Sequence, residues 1–155
     1  MHGPPIAVVI HTMAGTIEGC TSWFLNPASQ VSAHYGVGID GDFVRYINRR
    51  DTAWSNGLLE DGNRWPGPPG VNPNWLTVSI ETEDLGNPVQ LVTDAQYTRV
   101  RTLVRTVMST YPSIEWLMGH SVITPLSRPD CPGDRWIASG LLKQLADEAE
   151  LDLLV

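Results

Sequence analysis

The chain has 155 residues, a formal net charge of −7, 42% hydrophobic residues and 17% charged ones. That is enough for one domain with its own core, and too apolar for a disordered chain. A single lysine, Lys143, and a net negative charge exclude the basic footprint that nucleic-acid phosphates require.

No apolar run approaches a membrane span, so no membrane partner is expected. The opening Met1-His2-Gly3-Pro4-Pro5 carries neither a basic n-region nor an apolar h-region. The expectation is synthesis in the cytoplasm without a signal peptide. Two cysteines, Cys20 and Cys131, form no disulfide framework; reduced thiols or a single bridge both remain open.

Residues 6–10 (Ile-Ala-Val-Val-Ile) are continuously apolar and predict a central strand buried on both faces, ending at His11. Residues 18–25 predict a short helix closed by Asn26-Pro27. Residues 31–39 predict a strand, Asp40-Gly41 a turn, and residues 43–47 the returning partner. Residues 55–74 are rich in Gly, Pro and Asn, a long irregular segment of the kind that usually serves function. Trp54, Trp65 and Trp75 mark its ends and middle.

Residues 75–82 predict the next strand. Alternation places Val78, Ile80 and Thr82 on one face, with Thr77, Ser79 and Glu81 on the other. A long helix follows, opened by a Thr93/Gln96 capping box. Its apolar stripe is Tyr97, Val100, Leu103, Val104, Val107 and Tyr111, and Pro112 ends it. Residues 115–118 predict a short buried strand running into Gly119-His120. Asp134 is the expected cap of a last helix carrying Trp136, Ile137, Leu141, Leu142 and Leu145. The fold class is α/β, a central mixed β-sheet flanked by helices in a single domain spanning residues 1–155.

His11 and His120 each end an apolar strand, where sheet proteins line their ligand crevices. Cys131 lies in the Pro-Gly loop that follows. Two imidazoles and a thiolate leave the fourth position of a tetrahedral zinc ion open to water, the arrangement of catalytic rather than structural sites.

The chain resembles the zinc-dependent N-acetylmuramoyl-L-alanine amidases of the type 2 amidase family. That family includes phage endolysins, which the chain is most like, and the peptidoglycan recognition proteins. The resemblance rests on Val8-Val9-Ile10-His11-Thr12, Val31-Ser32-Ala33-His34-Tyr35, Val78-Ser79-Ile80-Glu81, Gly119-His120 and Asp130-Cys131-Pro132-Gly133, in the family's order. It implies an open groove holding one Zn2+ per chain on His11, His120 and Cys131. It also implies a catalytic domain that hydrolyses the bond between N-acetylmuramic acid and L-alanine in peptidoglycan after release to the cell wall; the sequence itself shows no separate wall-binding segment. Its partners would be the glycan and the stem peptide, bound by a monomer.

Glu81 matches the glutamate that acts on the metal's water in many members. Ala33 stands where others carry a tyrosine, which leaves Glu81 to act alone, and His34 is expected to have a hydrogen-bonded structural role. Pro129 stands where many members carry a Lys or Thr that steadies the oxyanion, so Arg128 is the candidate for that role. Asp130 beside the thiol could compete for the metal or accept a hydrogen bond. Trp54 and Trp65 are the candidate substrate-binding residues. The rival readings are a peptidoglycan-binding module without catalysis, an amidase of anhydro-muramyl peptides in wall recycling, and a metal-free domain closed by a Cys20–Cys131 disulfide.

Overall fold

A computed structural model describes residues 3–155; Met1 and His2, where the reading of the chain's start begins, lie outside them. The sheet consists of β1 (Ala7–Thr12), β2 (Tyr35–Val37), β3 (Phe43–Arg45), β4 (Thr77–Thr82), β5 (Trp116–Gly119) and β6 (Asp152–Leu154), in the order β3-β2-β4-β1-β5-β6. All pairings are parallel except the β2–β3 hairpin at one edge. β1 is thus interior, and Ala7 to Ile10 are inaccessible to solvent, as a run apolar on both faces requires.

The two faces are covered differently. On one, Val8, Ile10, Val78, Ile80 and Leu117 pack beneath α2 (Asp94–Thr110) and α3 (Leu141–Ala149). The apolar stripe of α2 supplies Val100, Leu103, Val104 and Val107 to this layer. Trp136 is buried within it and donates from Nε1 to Thr82 Oγ1 at 3.0 Å. On the other face, Ala7, Val9, Met118, Val122 and Ile123 form a smaller cluster covered by the irregular segment, including Leu59 and Trp65. α1 (Ile17–Leu25) stands beside β2.

Several boundaries differ from the sequence reading. The strand expected over residues 31–39 shrinks to Tyr35–Val37, because the chain before it bonds to the long loop: Ser32 donates to the Trp54 carbonyl and Trp54 to Ser32 Oγ. Thr93 caps α2 by accepting from the Gln96 amide, but the Gln96 side chain does not complete a capping box. It reaches instead across the core to the carbonyls of Val37 and Glu83. Asp134 opens a series of turns rather than the last helix. Gly140, at φ 80°, interrupts the backbone so that α3 begins only at Leu141. β6 was not expected; it is a short strand added at the sheet edge beside β5.

Candidate metal centre

Register places the site. His11 lies opposite Glu81 across the β1–β4 pair, and Ile10 lies opposite Gly119 across β1–β5. His120, the next residue after Gly119, therefore comes beside His11. Alternation sends His11, Glu81 and His120 to the same face, the one covered by loops rather than by α2 and α3. The imidazole centroids of His11 and His120 are 4.5 Å apart, and His11 Nδ1 is 3.9 Å from Glu81 Oε1.

Cys131 completes the cluster from the loop after β5. Gly119 admits that loop: a Cβ there would meet Pro132 Cδ at 2.7 Å. The Cys131 carbonyl accepts from Ser121, and its Sγ accepts from the backbone amide of Thr12 at 3.4 Å. The ligand atoms of His11, His120 and Cys131 all lie within 4.8 Å of one another, and all three residues are buried. Both cysteines are free, which removes the disulfide reading.

The electrostatics suit a cation. Burial, and then the neighbouring His120, hold the His11 imidazole well below its ordinary pKa. Burial takes His120 down to about 4. Both rings are therefore neutral at pH 7, with a lone pair to offer. Burial and the nearby Glu81 push the Cys131 thiol up to about 12. Burial and Asp84 push Glu81 to about 8. A pocket that disfavours its own anions is one that a divalent cation would relieve. Two neutral imidazoles and a buried thiol fit zinc by number and by softness.

The site lies in an open groove formed by two adjoining hollows of about 650 and 430 Å³, which share Val31, Ser55, His120 and Arg128. α1 supplies one wall with Cys20, Trp23 and Phe24, a contribution that no motif signalled. The other wall includes Trp54 and Leu58. Trp54 is half-exposed at the groove, where the sequence reading put it. Trp65 is not at the groove. Its ring packs on the smaller core cluster and so close over Gly67 that a Cβ there would lie 2.5 Å from it. Arg128 is exposed at the junction of the hollows and donates to the Ser127 carbonyl; Pro129 and Asp130 beside it are also exposed.

His34 is fully buried. Its Nδ1 accepts from the Ser79 amide at 3.1 Å, so its Nε2 carries the proton and donates to the Asp51 carbonyl at 3.1 Å. Ala33 is buried and has no polar side chain to offer. Glu83 and Asp84, two and three residues beyond Glu81, hold the surroundings. Glu83 accepts from the amides of Ile17 and Ile39, and Asp84 from Gly15, Gly86 and the Thr12 hydroxyl.

A mixed sheet, covered by loops on one face, thus carries a His-His-Cys cluster and a carboxylate at the carboxyl ends of its parallel strands, a candidate metal centre in an open groove. The chain belongs to the N-acetylmuramoyl-L-alanine amidase family Amidase_2, whose sequence profile matches residues 1–134. It is 35% identical over 86 residues to N-acetylmuramoyl-L-alanine amidase A of Achromobacter lyticus, covering 52% of this chain and 41% of that protein. It is 33% identical over 105 residues to the 1,6-anhydro-N-acetylmuramyl-L-alanine amidase AmpD of Salmonella typhimurium, covering 67% of this chain and 51% of the relative. The chain thus spans about half the length of these curated relatives. Its fold matches that of the Escherichia coli amidase AmiD, solved with anhydro-N-acetylmuramic acid-L-Ala-D-gamma-Glu-L-Lys. The TM-score is 0.71 at 21% identity, over 95% of this chain and 58% of that one.

Proposed function

We propose that the chain is a zinc-dependent amidase that cleaves the bond between the lactyl group of N-acetylmuramic acid and the L-alanine of the stem peptide in peptidoglycan. The observation that carries this reading is the placement of Glu81 beside a neutral His-His-thiol donor set on the floor of an open groove. His11, His120 and Cys131 would hold the ion. Zinc held there would acidify a water and polarise the scissile carbonyl.

Glu81 is the general base of this reading. It accepts the proton of the attacking water and returns it to the departing amine of L-alanine. Burial keeps Glu81 protonated in the metal-free site, and a cation held beside it would favour its carboxylate form. Arg128, exposed where the two hollows meet, is the side chain available to hold negative charge developing on the carbonyl oxygen. Trp54 and Trp23 offer flat apolar walls for the glycan and the peptide. Two adjoining hollows on the surface offer more room than one sugar or residue needs, which fits a lytic role on the cell wall. The intact thiol at residue 131 favours catalysis over mere recognition.

A second reading has a specific observation behind it. The similarity to an AmpD enzyme favours anhydro-muramyl peptides, soluble wall fragments, as the substrate. Glu81→Gln separates catalysis from binding. With zinc still bound, it is expected to lower turnover by roughly 10²–10⁴-fold; near-full activity would remove Glu81 as the base. Parallel digestion of intact sacculi and of anhydro-muramyl peptides decides the substrate.

A further inference from the structure

Asn56 is fully buried within the long loop. Its backbone amide, like that of Ser55, donates to Asn74 Oδ1, at 2.9 and 3.0 Å, and Asn74 Nδ2 donates onward to the Gly57 carbonyl. The position of Asn56 is therefore fixed independently of its own side chain. The orientation of its amide is fixed as well. Thr77 gives its hydroxyl proton to the Pro73 carbonyl at 2.9 Å, so at 2.7 Å from Asn56 Nδ2 its oxygen can only accept. Nδ2 is thus the atom facing Thr77, and Oδ1 is left on the other side.

Among the described residues, Asn56 Oδ1, His11 Nε2 and His120 Nε2 are buried polar atoms without a closed hydrogen bond. Asn56 acts on both rings, through its side chain on His11 and through its backbone on His120, in each case in the sense that favours a proton on the ring. On the groove side, His11 Nδ1 faces Glu81. Asn56 thus offers an acceptor on the buried side of both rings, and on the groove side His11 Nδ1 is left for a ligand.

We propose that Asn56 is the positioning residue of the metal centre, fixing both imidazoles as Nε2–H tautomers through its side-chain and backbone carbonyls so that both Nδ1 atoms face the groove. This rests on the metal-site reading above for its purpose, though not for its geometry. A buried imidazole with no acceptor behind it would populate both tautomers and present the wrong nitrogen part of the time. Partners of this kind orient ligating histidines and raise their basicity, and their loss typically costs 10–100-fold in metal affinity. The two rings differ in one respect. His11 depends on the side chain of Asn56, whereas His120 depends only on its backbone.

The test is the imidazole ¹⁵N–¹H spectrum of the metal-free protein, read together with zinc affinity from chelator competition. In the wild type both rings are expected as Nε2–H tautomers. Asn56→Ala should release His11 into a tautomer mixture, leave His120 unchanged, and weaken zinc binding by about 10–100-fold. Asn56→Asp, which keeps an oxygen toward His11, should hold the tautomer. Should Asn56→Ala fail to fold, Thr77→Val leaves Asn56 in place, frees its amide to flip, and should shift His11 in the same direction. An Nδ1–H tautomer at His11 in the wild type would overturn the proposal. So would an unchanged His11 spectrum and affinity in Asn56→Ala and Thr77→Val. Nε2–H tautomers in a protein that takes up no zinc would uphold the positioning role and overturn the zinc reading instead.

Discussion

At the scale of single residues, protonation decides what each group can do. Cys131 keeps its proton in the metal-free site, since burial raises it to about 12, and a cation must displace that proton to gain the thiolate. Zinc affinity should therefore rise with pH, by about tenfold per unit from this proton alone. Isothermal titration in buffers of different ionisation enthalpy would count the protons released; zero release would mean that the thiol is not a ligand. His34 makes the opposite kind of prediction, about stability. Its folded pKa lies near 4, lowered first by burial from the ordinary 6.5. The unfolded chain therefore binds the proton first. The stabilisation is complete above pH 6.5 and is lost as pH falls toward 4, an effect of about 3 kcal/mol. Urea unfolding at pH 7 and 4.5 should show this loss together with those of His11 and His120, which burial lowers in the same way, and His34→Gln should remove its own share.

At the scale of elements, the long β4 strand connects the sheet to the groove walls. Glu83, directly after it, accepts from the first amide of α1 and from Ile39 in the turn after β2. Glu83→Ala leaves the buried Ile17 donor and the half-buried Ile39 donor unpaired, and a cost of about 2–4 kcal/mol is expected, since each bond to a charged acceptor contributes roughly 1.5–3 kcal/mol at most. Hydrogen exchange should quicken first in the opening turn of α1; uniform quickening would mean that Glu83 supports the core rather than the wall.

Elements with strong local signals were legible in the sequence. The apolar run of β1, the alternation of β4, the stripe of α2 and the terminal positions of His11 and His120 all follow from periodicity and burial. What escaped was set by distant partners. β2 is cut short by the Trp54 loop, Gln96 is drawn away from its cap toward Val37 and Glu83, and α3 is delayed by Gly140. The candidate site divides in the same way. The cluster of His11, His120 and Cys131 was readable from motifs and strand ends. Trp65, by contrast, turned out to be packing, and Asn56, in a polar loop without periodicity, gave no local signal at all.

At the scale of the whole molecule, the asymmetry of the two sheet faces is what makes a site. Helices α2 and α3 seal one face into the main core, and the loops on the other leave a groove where the carboxyl ends of β4, β1 and β5 converge. Trp54 on the exposed rim can change without disturbing that core. Trp54→Ala should weaken binding to wall fragments with little change in melting temperature, and calorimetry would register both; unchanged binding would remove Trp54 from the substrate site.

The central claim is that this groove holds one zinc ion and uses it to release stem peptides. The most direct measurement pairs elemental analysis of the purified protein with mass spectrometry of peptidoglycan digested by the same preparation, before and after chelation. The account predicts one zinc per chain and peptides beginning with a free L-alanine amine, lost on chelation and restored by zinc. Protein without zinc, or the same peptides released after its removal, would contradict it.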